Sequence, residues 1–332
     1  MTQPLTVWAV TEGHIGTENQ ARGVAEALIG DGAGTIVVKR ISVRAPWRWL
    51  PPALWPVPLM ALGREGDPLE PPWPDVLISC GRRSAAPNLA VRKRSGGATL
   101  SVHIQQPYMP SDRFDLVIAP RHDNLDGANV HVTRAAVHRV TAERLAKGRY
   151  DAVERTDPAR HAVTVLIGGS NRRHRFTEGI AARFGESLAG LCQRRPIDLR
   201  LTPSRRTNPA IVRILAEKLA GTGAEIWDGS GDNPYFAWLA IADTVVVTWD
   251  SVSMASEALA TGKPVYVLPL EGTSRRIDRF HAGLQADGYT RAFDGALDRW
   301  AYEPPDDTAA AAAEIRARLR ARHRATGAMR SG

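Results

Sequence analysis

The segment from Ala242 to Pro264 holds the densest set of side chains able to do chemistry. An apolar β-branched run ends at Asp250, and the chain then turns into a helical pattern carrying Ser251, Ser253, Met254 and Glu257. Ser251 or Ser253 can cap that helix, whose first amides and dipole then point at whatever binds there; a phosphate is the natural guest. Ser253 and Glu257 are four apart and share one helix side, so hydroxyl and carboxylate can address a diphosphate and a ribose together. Gly262 and Pro264 stop the helix. The bland alternative is an ordinary strand-to-helix turn whose serines only cap.

Two further loops carry phosphate-type chemistry. Gly168, Gly169, Ser170 and Asn171 follow the strand-like run 163–167, and glycines let backbone amides approach an anion closely. Arg172, Arg173 and Arg175 lie beside this loop, and Ser204, Arg205 and Arg206 follow the next strand. Guanidinium groups suit phosphate oxygens through paired donors. Loops leaving the carboxyl ends of neighbouring parallel strands converge on one ligand.

In the first half, Gly13 and Gly16 make a tight turn around His14, with Gln20 on the helix that follows. His14 could act as general base on an acceptor hydroxyl, or be a loop histidine bonded to backbone. On the same sheet edge lie Arg82 and Arg83 with Ser84 as a helix cap, then Gln105 after a fourth strand. Arg121, His122 and Asp123 follow a fifth strand. His122 and Asp123 are adjacent, which makes a dyad between them awkward and suggests a role in orienting substrate or loop. The spacing of His, Asp, Glu and Cys matches no metal site, and no cofactor is expected.

These loops need sheets to hold them. Short runs rich in Val, Ile and Leu read as buried parallel strands over 5–10, 35–41, 76–79, 99–104, 116–119, 163–167, 197–201, 225–227, 244–248 and 265–268. Helical stretches such as 18–28, 177–191, 210–219 and 234–241 alternate with many of them, the pattern of an α/β protein with parallel sheets covered on both faces. The expected architecture is two Rossmann-like parallel-sheet domains facing across a cleft. The polar stretch 150–160 reads as a linker, giving an acceptor domain over 1–155, a donor domain over 156–304 and an Ala/Arg-rich helix over 305–332 that packs back on the first.

Length and composition agree with two such domains. The chain has 332 residues, 43% of them hydrophobic, which suits a substantial core. The formal charge of +8 comes almost wholly from arginines spread along the chain, so no nucleic-acid surface is expected. Cys80 and Cys192 share no metal or redox spacing and read as reduced cysteines of a cytoplasmic protein. The first residues lack a signal-peptide pattern, and the most apolar stretch, 49–63, is proline-broken and too short to span a bilayer. Trp47, Trp49 and Trp55 sit among prolines there. They suit a lipid-linked acceptor, a membrane surface or a partner, making the protein peripheral at the inner face, or they fold over the domain's own core.

Taken in order, Gly13 to Gly16 with Gln20, 104–107, 118–123, 167–171, 204–207 and 248–258 resemble the plant elongated-mitochondria fission factors and their bacterial relatives, over roughly residues 5–290. That family is often described as predicted nucleoside-diphosphate-sugar epimerases. More distantly, the second half is similar to GT-B glycosyltransferases such as the peptidoglycan N-acetylglucosaminyltransferase. The likeness lies in Glu257-Ala258 and in Gly262 to Pro264; it implies a glutamate on the donor ribose and, from Gly13-His14, a histidine in the N-terminal glycine loop. The longer glycine-rich loop of those enzymes is missing here.

The resemblance implies a nucleotide-sugar, of UDP type, bound without metal and transferred to an envelope or lipid-linked acceptor. Short-chain epimerase chemistry is excluded, because no tyrosine has a lysine four residues on. A GT-B-type 2-epimerase remains an alternative, as does a non-enzymatic membrane or partner adaptor. Lys39 and Arg40 could meet an NADP 2′-phosphate, but the glycine fingerprint that would precede them is absent.

Overall fold

A strand buried on both faces is built mainly of apolar residues, and the inner strands follow that pattern, with buried polar side chains such as Ser101 and His103 hydrogen-bonded to neighbouring elements. The computed structural model describes residues 4–152 and 156–330, with side chains described as far as 324. Contact density divides it into two units, 1–139 with 306–332, and 140–305.

The first unit alternates β1 (Leu5–Thr11), α1 (Ile15–Ile29), β2 (Gly34–Arg40), β3 (Val76–Cys80), α2 (Ala85–Arg94), β4 (Leu100–Ile104), β5 (Leu116–Pro120) and β6 (Val130–Thr133). All six strands run parallel, in the order β2-β1-β3-β4-β5-β6. Every residue of β3, β4 and β5 is buried. Side chains alternate across the sheet with the two-residue period of a strand. Val7, Ala9 and Ile78 pack with Val24 and Leu28 of α1, while Trp8, Val10 and Leu77 pack with Val91 of α2 on the other face.

The second unit opens with α3 (Ala142–Ala152) and continues β7 (His161–Ile167), β8 (His174–Arg175), α4 (Glu178–Arg194), β9 (Ile197–Pro203), α5 (Pro209–Lys218), β10 (Glu225–Ile226), α6 (Tyr235–Ile241), β11 (Thr244–Thr248), α7 (Val252–Leu259), β12 (Val265–Leu268), β13 (Glu271–Gly272), α8 (Arg275–Ala286) and β14 (Thr290–Ala292). Its parallel sheet has the order β10-β9-β7-β11-β12-β14, and β8 pairs with β13 as a separate antiparallel ribbon. The strand order is the doubly wound one, with its direction reversing between β7 and β11.

The chain's last helix, α9 (Asp307–Arg330), belongs to the first unit. Ala311, Ala312 and Ile315 enter the core beside α1, and the Asp307 carboxylate accepts from the amides of Arg134 and Ala135 at 3.1 and 2.7 Å.

Three features differ from the sequence reading. The division between units falls at 139/140 and not at 155/156. Helix α3 packs on α6, where Gly148 leaves room for the Phe236 carbonyl and Arg149 donates to the Ala240 carbonyl at 3.3 Å. The expected linker 150–160 thus begins inside a helix, and its residues 153–155 lie outside those described. Edge strands β6 and β14 and the β8–β13 ribbon were not expected, because short, half-exposed strands carry no continuous apolar run.

Candidate functional site

In the second unit, β7 lies between β9 and β11. Ile167 pairs with Pro203 on one side and Leu166 with Val247 on the other, so the three loops that follow these strands leave the sheet side by side. These are the Gly168–Asn171, Ser204–Thr207 and Trp249–Ser251 loops. They meet at the reversal point of the strand order, where open α/β sheets bind ligands.

A buried carboxylate ties them together. The Asp250 side chain is fully buried; it accepts from the Gly169 amide at 3.1 Å, the Thr248 hydroxyl at 2.7 Å and the Arg206 guanidinium at 2.8 Å. The Thr248 hydroxyl in turn accepts from the Gly168 amide at 2.8 Å. Nothing larger than glycine fits at this turn. A Cβ on Gly168 would stand 2.3 Å from the Asp250 carboxylate, and one on Gly169 would stand 2.2 Å from the Arg206 carbonyl oxygen. Thr207 closes the neighbouring loop, its hydroxyl donating to the Gly168 carbonyl and accepting from the Ser204 amide at 2.9 Å.

Helix α7 begins directly beyond. Ser251 caps it, accepting from the Met254 amide at 3.3 Å, and Ser253 stands within its first turn. First-turn amides have no acceptor within their own helix, so this end of α7 presents partial positive charge. Arg172, Arg205 and Arg206 are exposed on the adjoining loops. The combined field suits an anion.

Glu257 is buried one turn further along α7 and receives a short hydrogen bond from the Tyr235 hydroxyl of α6. Burial first, and then the Glu257 charge, pushes the Tyr235 phenol well above its usual range, so the pair holds its proton on the tyrosine. Tyr235 has no local signal in the sequence; it reaches Glu257 from 22 residues away. The roles of Thr248, at a strand end, and of Thr207, in a loop, depend in the same way on a partner distant in sequence, Gly168 for both.

Other expected contacts are spent internally. The Ser170 hydroxyl accepts from the Phe176 amide at 3.0 Å, and the Asn171 side chain accepts from the amides of Arg173 and His174 at 2.8 and 2.9 Å. These two side chains shape their own loop, whose Gly168, Gly169 and Asn171 amides are likewise bonded within the protein. On the neighbouring side, Trp249 donates to Asp278 at 3.2 Å and stacks on His281, whose ring nitrogen meets the Trp249 carbonyl at 2.8 Å. Burial pulls His281 down to about 4.

The first unit gathers its own residues at the carboxyl edge of its sheet. His14 is exposed at the N-terminus of α1 without a side-chain capping bond, and Gly13 precedes it with φ of 80°. Gln20 is buried and accepts from the Gln105 side chain at 3.1 Å; Gln105 itself holds the left-handed φ of 76°. The Arg82 guanidinium lies 5.5 Å from the exposed Tyr108 ring. Ion pairs Glu12–Arg83 and Glu18–Arg40, both at 2.7 Å, flank His14. Arg40 lowers the Glu18 carboxyl pKa through that bond.

Two expectations, for Ser84 and His122, change here. Ser84 does not cap α2; its hydroxyl donates to the Gly81 carbonyl at 2.8 Å. His122 is buried in the one-turn helix 121–123, with its ring 3.7 Å from Asp123, whose carboxylate instead accepts from the Gln106 amide at 3.1 Å. It is therefore part of the packing behind the edge, with half-buried Arg121 beside it. Lys39 covers the Trp8 ring at 4.5 Å and Arg40 is bound to Glu18, so neither is poised for a 2′-phosphate.

Among the described residues, no cluster of three or more His, Cys, Asp or Glu side chains could hold a metal ion, and no helix is long and apolar enough to cross a membrane.

Known proteins share this architecture. UDP-GlcNAc 2-epimerase from Neisseria meningitidis, solved with UDP-GlcNAc, matches with a TM-score of 0.50 at 15% identity, over 95% of this chain and 99% of that one. MurG from Acinetobacter baumannii matches with a TM-score of 0.51 at 15% identity, over 87% and 86%. These likenesses establish the fold, two Rossmann-like parallel-sheet domains of GT-B type. In sequence, the mitochondrial fission protein ELM1 of Arabidopsis thaliana is 32% identical over 279 residues, covering 75% of this chain and 65% of that relative's length. The model of the mitochondrial fission ELM1 family matches residues 15–319, and the chain belongs to that family.

Proposed function

We propose that the second unit binds a nucleotide-sugar, with its diphosphate at the Gly168–Ser170 and Ser204–Arg206 loops and the N-terminus of α7. The observation that carries this reading is the turn at Gly168-Gly169, where any Cβ would collide with Asp250 or with the Arg206 backbone. Such a turn is held rigidly, its own amides bonded to Thr248 and Asp250, and it sets a helix start beside exposed Arg172 and Arg205, groups that can address a diphosphate. Glu257, held by Tyr235 near that helix start, is the group proposed for the ribose.

The reaction we infer is glycosyl transfer to an envelope or lipid-linked saccharide. The acceptor oxygen bonds to the anomeric carbon, whose bond to the diphosphate oxygen breaks, and the nucleoside diphosphate leaves with the electron pair. Exposed His14 is the proposed base for the acceptor hydroxyl proton. Arginine side chains and helix amides supply the neutralising charge on the leaving group, and no metal ion takes part.

A thermal-shift screen of UDP-, GDP-, CMP- and TDP-sugars tests the donor site. The expected result is stabilisation by one nucleotide class, lost in Arg205→Ala/Arg172→Ala and in Glu257→Gln. Retention of the full shift in both variants would sink the assignment. Product analysis then separates chemistries. Free nucleoside diphosphate supports transfer, an epimerised sugar with its nucleotide intact supports the 2-epimerase, and binding without turnover supports an adaptor.

A further inference from the structure

The first unit carries an exposed apolar face that its own fold does not use. Between Ala45 and Gly63 the chain makes three short 3-10 turns, Trp47–Trp49, Pro52–Leu54 and Pro58–Ala61. Each turn sends some residues inward. Trp55, Pro52 and Ala61 are buried, with Trp55 and Ala61 against Ala86 and half-buried Trp47 packed on them. The remaining residues point to solvent: Trp49 is 68% exposed, Leu54 66% and Met60 59%, with Leu50 and Val57 beside them. Contiguous apolar exposure of this kind marks an interaction surface.

The segment's chemistry selects the partner. From Ala45 to Gly63 the only hydrogen-bonding side chains are Arg48 and the tryptophan indoles, and the Trp55 indole already donates to the Leu50 carbonyl. A protein partner is met with a polar rim and roughly one hydrogen bond per 100–200 Å², which these residues cannot supply. The backbone is equally closed. Pro46, Pro51, Pro52, Pro56 and Pro58 have no amide hydrogen, the amides of Trp49, Leu50, Leu54, Trp55, Met60 and Leu62 are bonded within the segment, and that of Arg48 is bonded to the Arg44 carbonyl. A chain with most of its donors removed or satisfied enters a region poor in water at reduced cost. Charge completes the match: Arg44, Arg48 and Arg64 are exposed, no acidic residue occurs from Ile41 to Arg64, and the Arg48 guanidinium lies 4.7 Å from the Trp49 ring. Tryptophan with arginine is the pairing favoured at lipid headgroups.

We propose that the 3-10 turns of residues 47–61 form a lipid-docking surface, in which Trp49, Leu54 and Met60 enter the headgroup region of an anionic bilayer and Arg48 and Arg64 engage lipid phosphates. This surface lies wholly within the first unit and does not depend on donor binding in the second.

Flotation of the full-length protein with vesicles tests it, comparing phosphatidylcholine alone with phosphatidylcholine containing phosphatidylglycerol. Binding is expected on the anionic vesicles and is expected to weaken as salt is raised. Trp49→Glu/Leu54→Glu should lower vesicle affinity about a hundredfold, and Arg48→Gln or Arg64→Gln about fivefold each. These side chains are exposed, so thermal unfolding and any nucleotide-sugar shift should stay as in the wild type. The proposal is overturned if the wild type stays with neither vesicle, or if the Trp49→Glu/Leu54→Glu protein floats as well as the wild type. It is also overturned if the same variant instead abolishes a concentration-dependent dimer seen without lipid, which would make a second copy the occupant.

Discussion

The two sheets each have one point where the strand order reverses, and they furnish it differently. In the second unit, between β7 and β11, the loops are locked by the Asp250 carboxylate and by glycines that admit no side chain. In the first, between β1 and β3, they are joined by the Glu12–Arg83 ion pair near the surface. A Cβ on Gly13 would meet only the Arg40 side chain at 3.5 Å, and His14 stands exposed. Topology therefore fixes where a ligand can go, and residue content decides what it can be. One crevice is held rigid by a buried carboxylate and close-packed glycines; the other is bounded by paired side chains near the surface.

Substitution at the two turns gives the largest separation. Gly169→Ala drives a methyl group into the Arg206 backbone and should cost about 3 kcal/mol or more in urea denaturation. Gly13→Ala meets only the strain of its positive φ, at about 1 kcal/mol. Equal losses would break the distinction between locked and adaptable turns.

Removing the lock should cost almost as much. Asp250→Ala leaves the Gly169 amide and Thr248 hydroxyl without their acceptor and should lose about 3 kcal/mol. Stability unchanged by that substitution would mean that the carboxylate does not hold the loops.

Acid sharpens the comparison through one histidine in each unit. Burial lowers His281 to about 4 and His103 to about 3, so both rings stay neutral in the folded protein. Above pH 6.5 neither the folded nor the unfolded state protonates them, and they confer no pH dependence. Below it, the unfolded chain takes up protons that the fold excludes. Stability should therefore fall as pH drops from about 6.5 toward 4, by up to about 3 kcal/mol per histidine. His281→Gln should flatten the second unit's share, measured as urea stability against pH; an unchanged slope would remove His281 from the account.

The smallest effect should come from Arg83→Ala. Its side chain is 40% exposed in the pair with Glu12, which puts the expected loss below about 1 kcal/mol. A loss as large as that of Asp250→Ala would show that the first crevice is locked as well.

Much of this was legible in the sequence. The inner strands could be read because burial on both faces demands unbroken apolar runs, as in Thr244–Thr248 and Val265–Leu268. Ser251 was legible as a cap because capping is local, decided within four residues. The glycines at 168 and 169 were legible as a tight turn after a strand for the same reason.

Residue type along the chain could not decide which polar groups stay available to a ligand, because that depends on partners distant in sequence. Asp250 looks like a ligand contact until Gly169 and Arg206 are found to consume it, and the Tyr235 hydroxyl that anchors Glu257 arrives from another helix. Trp47, Trp49 and Trp55 are alike in sequence, yet the turns between them bury Trp55 and expose Trp49. Sequence alone therefore determined the two α/β layers and the loops at their edges, since hydrophobic period and turn chemistry act over a few residues. Only the tertiary structure decided which side chains in those loops are spent on the fold and which remain for a guest, since hydrogen bonds and burial are settled between segments that meet only in three dimensions.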